Sequence, residues 1–156
     1  MELKFSFLLI FATNTLGQAL LSVLATHLEL STFTYYVNAS TSLTNLLSSA
    51  NNFTLLAPSN TAFEQWFSSQ GNPSLNDDVI ETTLFYHLLR GGFPTASFTN
   101  ESQFVASHLT NATYSNVTGG QRVELVTGTG DQQQFISGNK TVSGIVSPVS
   151  AMPKNS

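Results

Sequence analysis

The apolar pattern changes period once along the chain, and that change limits the fold more than any other feature. From Ala19 to Leu28, the residues Leu20, Leu21, Leu24 and Leu28 recur at helical spacing. Ser31 stands where it would cap a second short helix carrying Phe33, Tyr36 and Val37, and Leu43, Leu46 and Leu47 form a third apolar set. The run Phe53–Ala57 (FTLLA), ended by Pro58, is short and continuous and reads as a buried strand. Thr61 with Glu64 has capping-box spacing and predicts a helix carrying Phe63, Trp66 and Phe67, broken at Gly71-Asn72-Pro73. Asp77 and Asp78 suit a helix N-terminus, and that helix carries Val79, Ile80, Thr83, Leu84 and His87 before Gly91-Gly92 stops it. Strands are predicted at 104–109, 121–126, 134–136 and 141–146, with Val123 and Leu125 alternating against Arg122 and Glu124. Helices first and strands second predict an α+β domain.

At 156 residues the chain has room for one domain. It opens like a secretory leader: Lys4, then the apolar run Phe5–Ala12 (FSFLLIFA), then small residues Thr15 and Gly17 placed for a cut before Gln18. A cut before Leu20 also fits, with Gly17 and Ala19. A membrane helix is disfavoured, because a span needs about 20 apolar residues and this run breaks at Thr13-Asn14. The expected organisation is a leader over 1–17, a domain over 18–146 and a polar tail over 147–156.

Charged residues make up only 9% of the chain, far below the roughly 25% usual in soluble domains. Asn-x-Ser/Thr acceptors at Asn38, Asn52, Asn100, Asn111, Asn116 and Asn139 supply the missing solvation if glycosylated. Asn52, beside the predicted buried strand, is expected to be too buried to modify. Cysteine is absent, so neither a disulfide nor a thiolate metal site can form. Net charge is −4, with Arg90, Arg122, Lys140 and Lys154 scattered singly, which argues against a nucleic-acid partner or an anionic lipid surface. The terminal Pro153-Lys154-Asn155-Ser156 carries no lipid-anchor signal and no stop-transfer segment. The mature chain is expected to be soluble, with no transmembrane segment, outside the cell or in its wall.

Catalytic chemistry finds little footing. His87 falls on the apolar face with Ile80 and Leu84, which favours a hydrogen-bonded core histidine over a general base. Asp77 and Asp78 are adjacent, diverge on a helix and cannot work as an acid–base pair. His27, His87 and His108 have no metal-ligand spacing. Gly128-Thr129-Gly130 starts like a dinucleotide loop, but Gln133 stands in place of the third glycine. Neither a cofactor nor a metal is expected. Tyr35-Tyr36, Tyr86 and Tyr114 are the candidate exposed aromatic contacts, with Tyr86 the better surface candidate of its pair with His87.

Two stretches closely resemble the signature boxes of fasciclin-like domains. Phe53–Phe63 (FTLLAPSNTAF) is similar to the first box, through Thr54, Ala57, Pro58, Asn60 and Phe63. Leu84–Gly91 (LFYHLLRG) resembles the Tyr-His box, through Tyr86 and His87. The resemblance covers roughly Gln18 to Val146. It implies N-terminal helices packed on a β-sheet wedge, with the Tyr-His pair structural or adhesive rather than catalytic. The family continues past a Pro-Asp-Ile-Met-like segment into a final apolar strand. Here Ser147–Met152 looks like a degraded lead-in, and the last strand is expected to be missing, leaving backbone groups unpaired. The function so implied is non-enzymatic adhesion to an extracellular protein or cell-wall glycan, of a fungal or plant wall type. The alternative weighed beside it is a small secreted carrier of an apolar molecule, and a hydrolase built on His87 or His108 ranks behind both.

Overall fold

The strand Phe53–Pro58 (β2) is buried along its whole length because it has a core on each face. Side chains alternate across a strand, so Phe53, Leu55 and Ala57 meet one set of neighbours while Leu56 meets another. A continuous apolar run thus satisfies both layers. The computed structural model describes residues 6–12, 17–49, 52–69, 77–115, 117–138, 140 and 142–150, with 6–12, 17–19 and 146–150 described by backbone alone.

On the first face lie the helices Gly17–Thr26 (α1), Ser31–Ala39 (α2), Thr41–Ser49 (α3), Asn60–Ser69 (α4) and Asp77–Tyr86 (α5), with a 3-10 turn at Leu28–Leu30 between α1 and α2. Their inward residues Leu20, Leu24, Phe33, Val37, Leu47 and Leu84 are almost fully buried against β2. The spacing of these residues is the helical period read from the sequence. None of the described helices is long and apolar enough to cross a membrane.

The second face belongs to the sheet. Its strands are Ser6–Ala12 (β1), β2, Leu88–Arg90 (β3), Gln103–Ala106 (β4), Arg122–Thr127 (β5), Gln133–Ile136 (β6) and Val142–Ser150 (β7). They run in the order β3-β2-β1-β7-β6-β5-β4. All neighbours are antiparallel except β1 and β7, which are parallel. The sheet curls until its two edge strands touch: Leu89 bridges Ser107, and the His108 N–H donates to the Leu88 carbonyl at 2.7 Å. Inside the curl sit Leu56, Leu89, Val105, Val123, Leu125 and Phe135.

Several local readings are corrected by the structure. The helix opened by Asp77 ends at Tyr86, and Leu88–Arg90 is a strand pairing Leu55 with Leu88. The α4 cap is Ser59, whose Oγ accepts the Ala62 N–H at 3.2 Å, while Thr61 is exposed inside the first turn. Ser31 does not cap α2; Leu30 holds the cap position and offers no side-chain acceptor. β7 runs on to Ser150 through Pro148, which pairs with Leu9 of β1. Among the described residues the β6 pairing runs no further than Gly144, so Pro148 lies past it on β7, a setting in which a strand tolerates proline. Gly128-Thr129-Gly130 belongs to the β5–β6 turn, where Gly130 (φ 77°) and Asp131 (φ 57°) take left-handed backbone.

Candidate functional site

The two sequence boxes lie side by side. β3 follows α5 after one turn residue and pairs with β2, and the Leu56 N–H donates to the His87 carbonyl at 2.9 Å. Thr54 is fully buried within this junction. Its hydroxyl donates to the Gly91 carbonyl (2.8 Å) and accepts the Phe93 N–H (2.9 Å), so one side chain fixes the turn after β3. Ala57 and Pro58 are buried at the end of β2, and Phe63 packs into the helical core, its ring 5.7 Å from that of Tyr36.

Asn60 follows Pro58 in a position whose sequence reading is a helix-cap or turn role, and the structure makes it the cap of a helix other than its own. It is the first residue of α4, yet its side chain reaches the start of α2. Its Oδ1 accepts the Thr32 N–H at 2.9 Å, and its Nδ2 donates to the Leu28 carbonyl and the Ser31 Oγ, both at 3.0 Å. A helix start leaves N–H groups without intrahelical partners, and here the cap for α2 comes from a different helix. Replacing Asn60 with Ala is expected to cost about 2 kcal/mol, from a lost cap and two part-exposed bonds. A urea midpoint unchanged in that variant would show that the clamp contributes nothing.

His87 is the turn residue that ends α5. Its Nδ1–H donates to the Thr83 carbonyl at 2.7 Å, which fixes the tautomer. Burial holds its pKa below the ordinary histidine value, against the opposing pull of the Thr83 bond. His108 is likewise held low, by burial first and then by the Arg90 charge. The folded chain therefore resists protonation at both rings, whereas the unfolded chain takes up protons below about pH 6.5. The stability these neutral rings carry is complete above that pH and is lost as pH falls beneath it. The urea midpoint is expected to drop between pH 7.5 and pH 5; a midpoint constant over that interval would contradict the buried-neutral assignment.

Tyr86 is half-buried rather than a free surface group. Its hydroxyl accepts the Gly138 N–H (3.1 Å) and makes a long contact to the Arg122 carbonyl (3.4 Å), tying α5 to β5 and to the residues after β6. Burial raises its pKa, with the Gly138 bond opposing. Tyr36 is also half-buried, while Tyr35 is 67% and Tyr114 44% exposed.

Two concavities flank this region. A small apolar depression of about 180 Å³ is lined by Pro58, Phe63, Trp66, Leu84 and His87. A larger polar cleft of about 530 Å³ lies between Asp78, Glu81 and Phe85 of α5 and the 108–114 segment, with His108, Asn111 and Tyr114 on its walls. Among the described residues, no group of three or more His, Asp or Glu is placed to hold a metal ion. The acceptor asparagines Asn38, Asn52, Asn100 and Asn111 are all exposed, which corrects the expectation that Asn52 is buried. Asn52 precedes β2 with a left-handed φ of 58°, and that turn puts it at the surface. Asn116, Asn139 and Thr15 lie outside the described residues.

Residues 28–148, most of the chain and both boxes, match the family model of the Fasciclin domain. The chain belongs to the fasciclin family. This fasciclin domain is also 30% identical over 152 residues to a "Fasciclin-like arabinogalactan protein" of Arthroderma benhamiae. The alignment covers 95% of this chain and 36% of that protein, so the chain spans about a third of its relative's length.

Proposed function

We propose that this fasciclin domain is an exported, N-glycosylated, non-enzymatic module that mediates adhesion in a cell wall or extracellular matrix. Its partner would be an extracellular protein or a wall glycan. The observation that carries the reading is the placement of Asn38, Asn52, Asn100 and Asn111 at the surface of a fasciclin domain in which charged residues are only 9%. Glycans at those positions supply the solvation that the sparse charges do not. Similarity to a fungal protein whose name joins fasciclin with arabinogalactan agrees with a carbohydrate-rich location. The exposed rings of Tyr35 and Tyr114, with Leu28 80% and Phe104 62% exposed, offer contact points on the same domain.

The motif histidine works against a catalytic reading. Its Nδ1 is committed to the Thr83 carbonyl, and apolar side chains dominate the depression it borders. That depression, at about 180 Å³, lies below the roughly 300 Å³ at which ligand pockets begin, so it lends no weight to an apolar-ligand carrier.

Cell fractionation tests the reading. A C-terminally tagged chain expressed from a fungal host is expected in the wall fraction, with a mass that falls on enzymatic removal of N-glycans. Recovery inside the cell without glycans would refute export. Recovery wholly in the medium, with no wall retention, would refute the adhesive role.

A further inference from the structure

The polar cleft beside α5 has, among the residues that line it, an attachment point for a sugar. Asn111-Ala112-Thr113 is an N-glycosylation acceptor, and Asn111 and Thr113 both line the cleft. Asn38, Asn52 and Asn100, the other acceptors among the described residues, line neither concavity. The turn after Asn111 holds its amide in place. Asn111 Oδ1 accepts the Thr113 N–H at 2.9 Å, and the Asn111 carbonyl accepts the N–H groups of Tyr114 (3.0 Å) and Ser115 (2.8 Å). With Oδ1 so engaged, Nδ2 is the amide atom left for attachment, and it is the atom through which an N-glycan is joined.

The walls suit what that position would carry. Asp78, Glu81, Thr82 and Phe85 stand at i, i+3, i+4 and i+7 of α5 and so share one helix face. The Ser40 hydroxyl donates to Glu81 Oε1 at 2.7 Å, which steadies that carboxylate. The opposite wall is pinned to the sheet, by the Ser107 N–H on the Gln121 carbonyl (2.8 Å) and the Gln121 N–H on the Leu109 carbonyl (3.0 Å). It brings Thr110, Asn111 and Tyr114 to the cleft. A sugar ring has an apolar C–H face and a rim of hydroxyls. Phe85 and Tyr114 offer rings to the face, while the carboxylates and threonine hydroxyls accept from the rim. The volume, about 530 Å³, falls within the roughly 300–1,000 Å³ of ligand pockets and has room for one or two such rings.

We propose that this cleft is the seat of the chain's own N-glycan at Asn111, whose first N-acetylglucosamine folds back between α5 and the 108–114 segment. The inference rests on the N-glycosylation reading above and assigns one of its glycans a structural place. A tethered ring meets the walls at an effective concentration on the order of millimolar, so a shallow polar cleft holds it where the same sugar free in solution would not stay. The docked sugar ties α5 to the 108–114 segment and fills the cleft against outside ligands. The glycans at Asn38, Asn52 and Asn100, with no such walls beside them, serve solvation alone.

The test compares Thr113→Ala, which removes the acceptor but keeps the backbone bond to Asn111 Oδ1, with Thr113→Ser, which keeps both. Each full chain is made in a glycosylating fungal host and again in a bacterium, and peptide mass spectrometry reports which asparagines carry sugar. From the fungal host the Ala variant is expected to melt roughly 2–4 °C below the Ser variant, and from the bacterium the two are expected to melt together. Thr82→Arg, which fills the cleft from α5, is expected to erase the difference. Equal melting of the glycosylated pair, a difference that survives without glycans, or one that survives with the cleft filled would each overturn the docked sugar and leave export intact. So would sugar at the other acceptors with none at Asn111. A rise in the Tm of the glycosylated wild-type chain on adding chitobiose, the first two sugars of an N-glycan, would assign the cleft to a free saccharide instead. A fungal product with no N-glycan at all would overturn the proposal together with the reading it rests on.

Discussion

Phe53→Ala is expected to lower the stability of the intact chain by about 3–5 kcal/mol, the range for emptying a buried aromatic site. The ring is 1% exposed at the first position of β2 and belongs to the core that joins this strand to the helices. Phe53 also pairs with Arg90 of β3 and Ala12 of β1, so collapse around the cavity would have to move three strands. Small domains are stable by only about 5–15 kcal/mol, so this variant should melt far earlier or fail to accumulate. Chemical denaturation of the two proteins side by side measures the loss. A difference under about 1 kcal/mol would mean that β2 is not the seat of the core.

Thr54→Val should cost about 2–4 kcal/mol although it preserves shape. The substitution leaves the Gly91 carbonyl and the Phe93 N–H without their shared partner at a fully buried position. Gly91 has φ 106°, a conformation available mainly to glycine, and the hydroxyl helps hold the turn that places it. Thr54→Ser keeps the donor and acceptor and loses one methyl group, so it is expected to cost only about 1 kcal/mol. The contrast between Val and Ser in urea midpoint isolates the hydroxyl. Equal losses in the two variants would assign the effect to packing alone.

The helical half of the fold was legible because its period was strong. Leu20 with Leu24, Phe33 with Val37, and Leu43 with Leu47 are each four apart, and each pair is buried. β2 was legible from its unbroken apolar run and the proline that ends it. β5 was read through Val123 and Leu125, both buried, against exposed Arg122. β3 was missed because Leu88 and Leu89 continue the helical pattern of α5. Only the turn at His87, held by the Thr83 bond, sends them to opposite faces of a strand.

β1 is a different kind of ambiguity. A short apolar run is equally a leader core and a strand buried on both sides, and periodicity does not separate them. The caps escaped for a geometric reason. Ser59 acts two residues earlier than the Thr61–Glu64 spacing predicts, and Asn60 caps a helix that begins twenty-nine positions upstream of it. No sequence window contains such a pair. Of the motif residues, the pairing of β2 with the Tyr-His segment follows from the two boxes only as a resemblance. The roles of Thr54 as a turn clamp and of Tyr86 as a tie to β5 needed coordinates.

The central claim is that the domain adheres, and bead aggregation measures it most directly. Fluorescent beads coated with the secreted, glycosylated chain are mixed with fungal wall fragments and with each other, beside beads coated with an unrelated glycoprotein. The account predicts clustering on the wall fragments that is several-fold above the control and is abolished by heat-unfolding the coat. Clustering no greater than that of the control, from a coat shown to be folded, would contradict it.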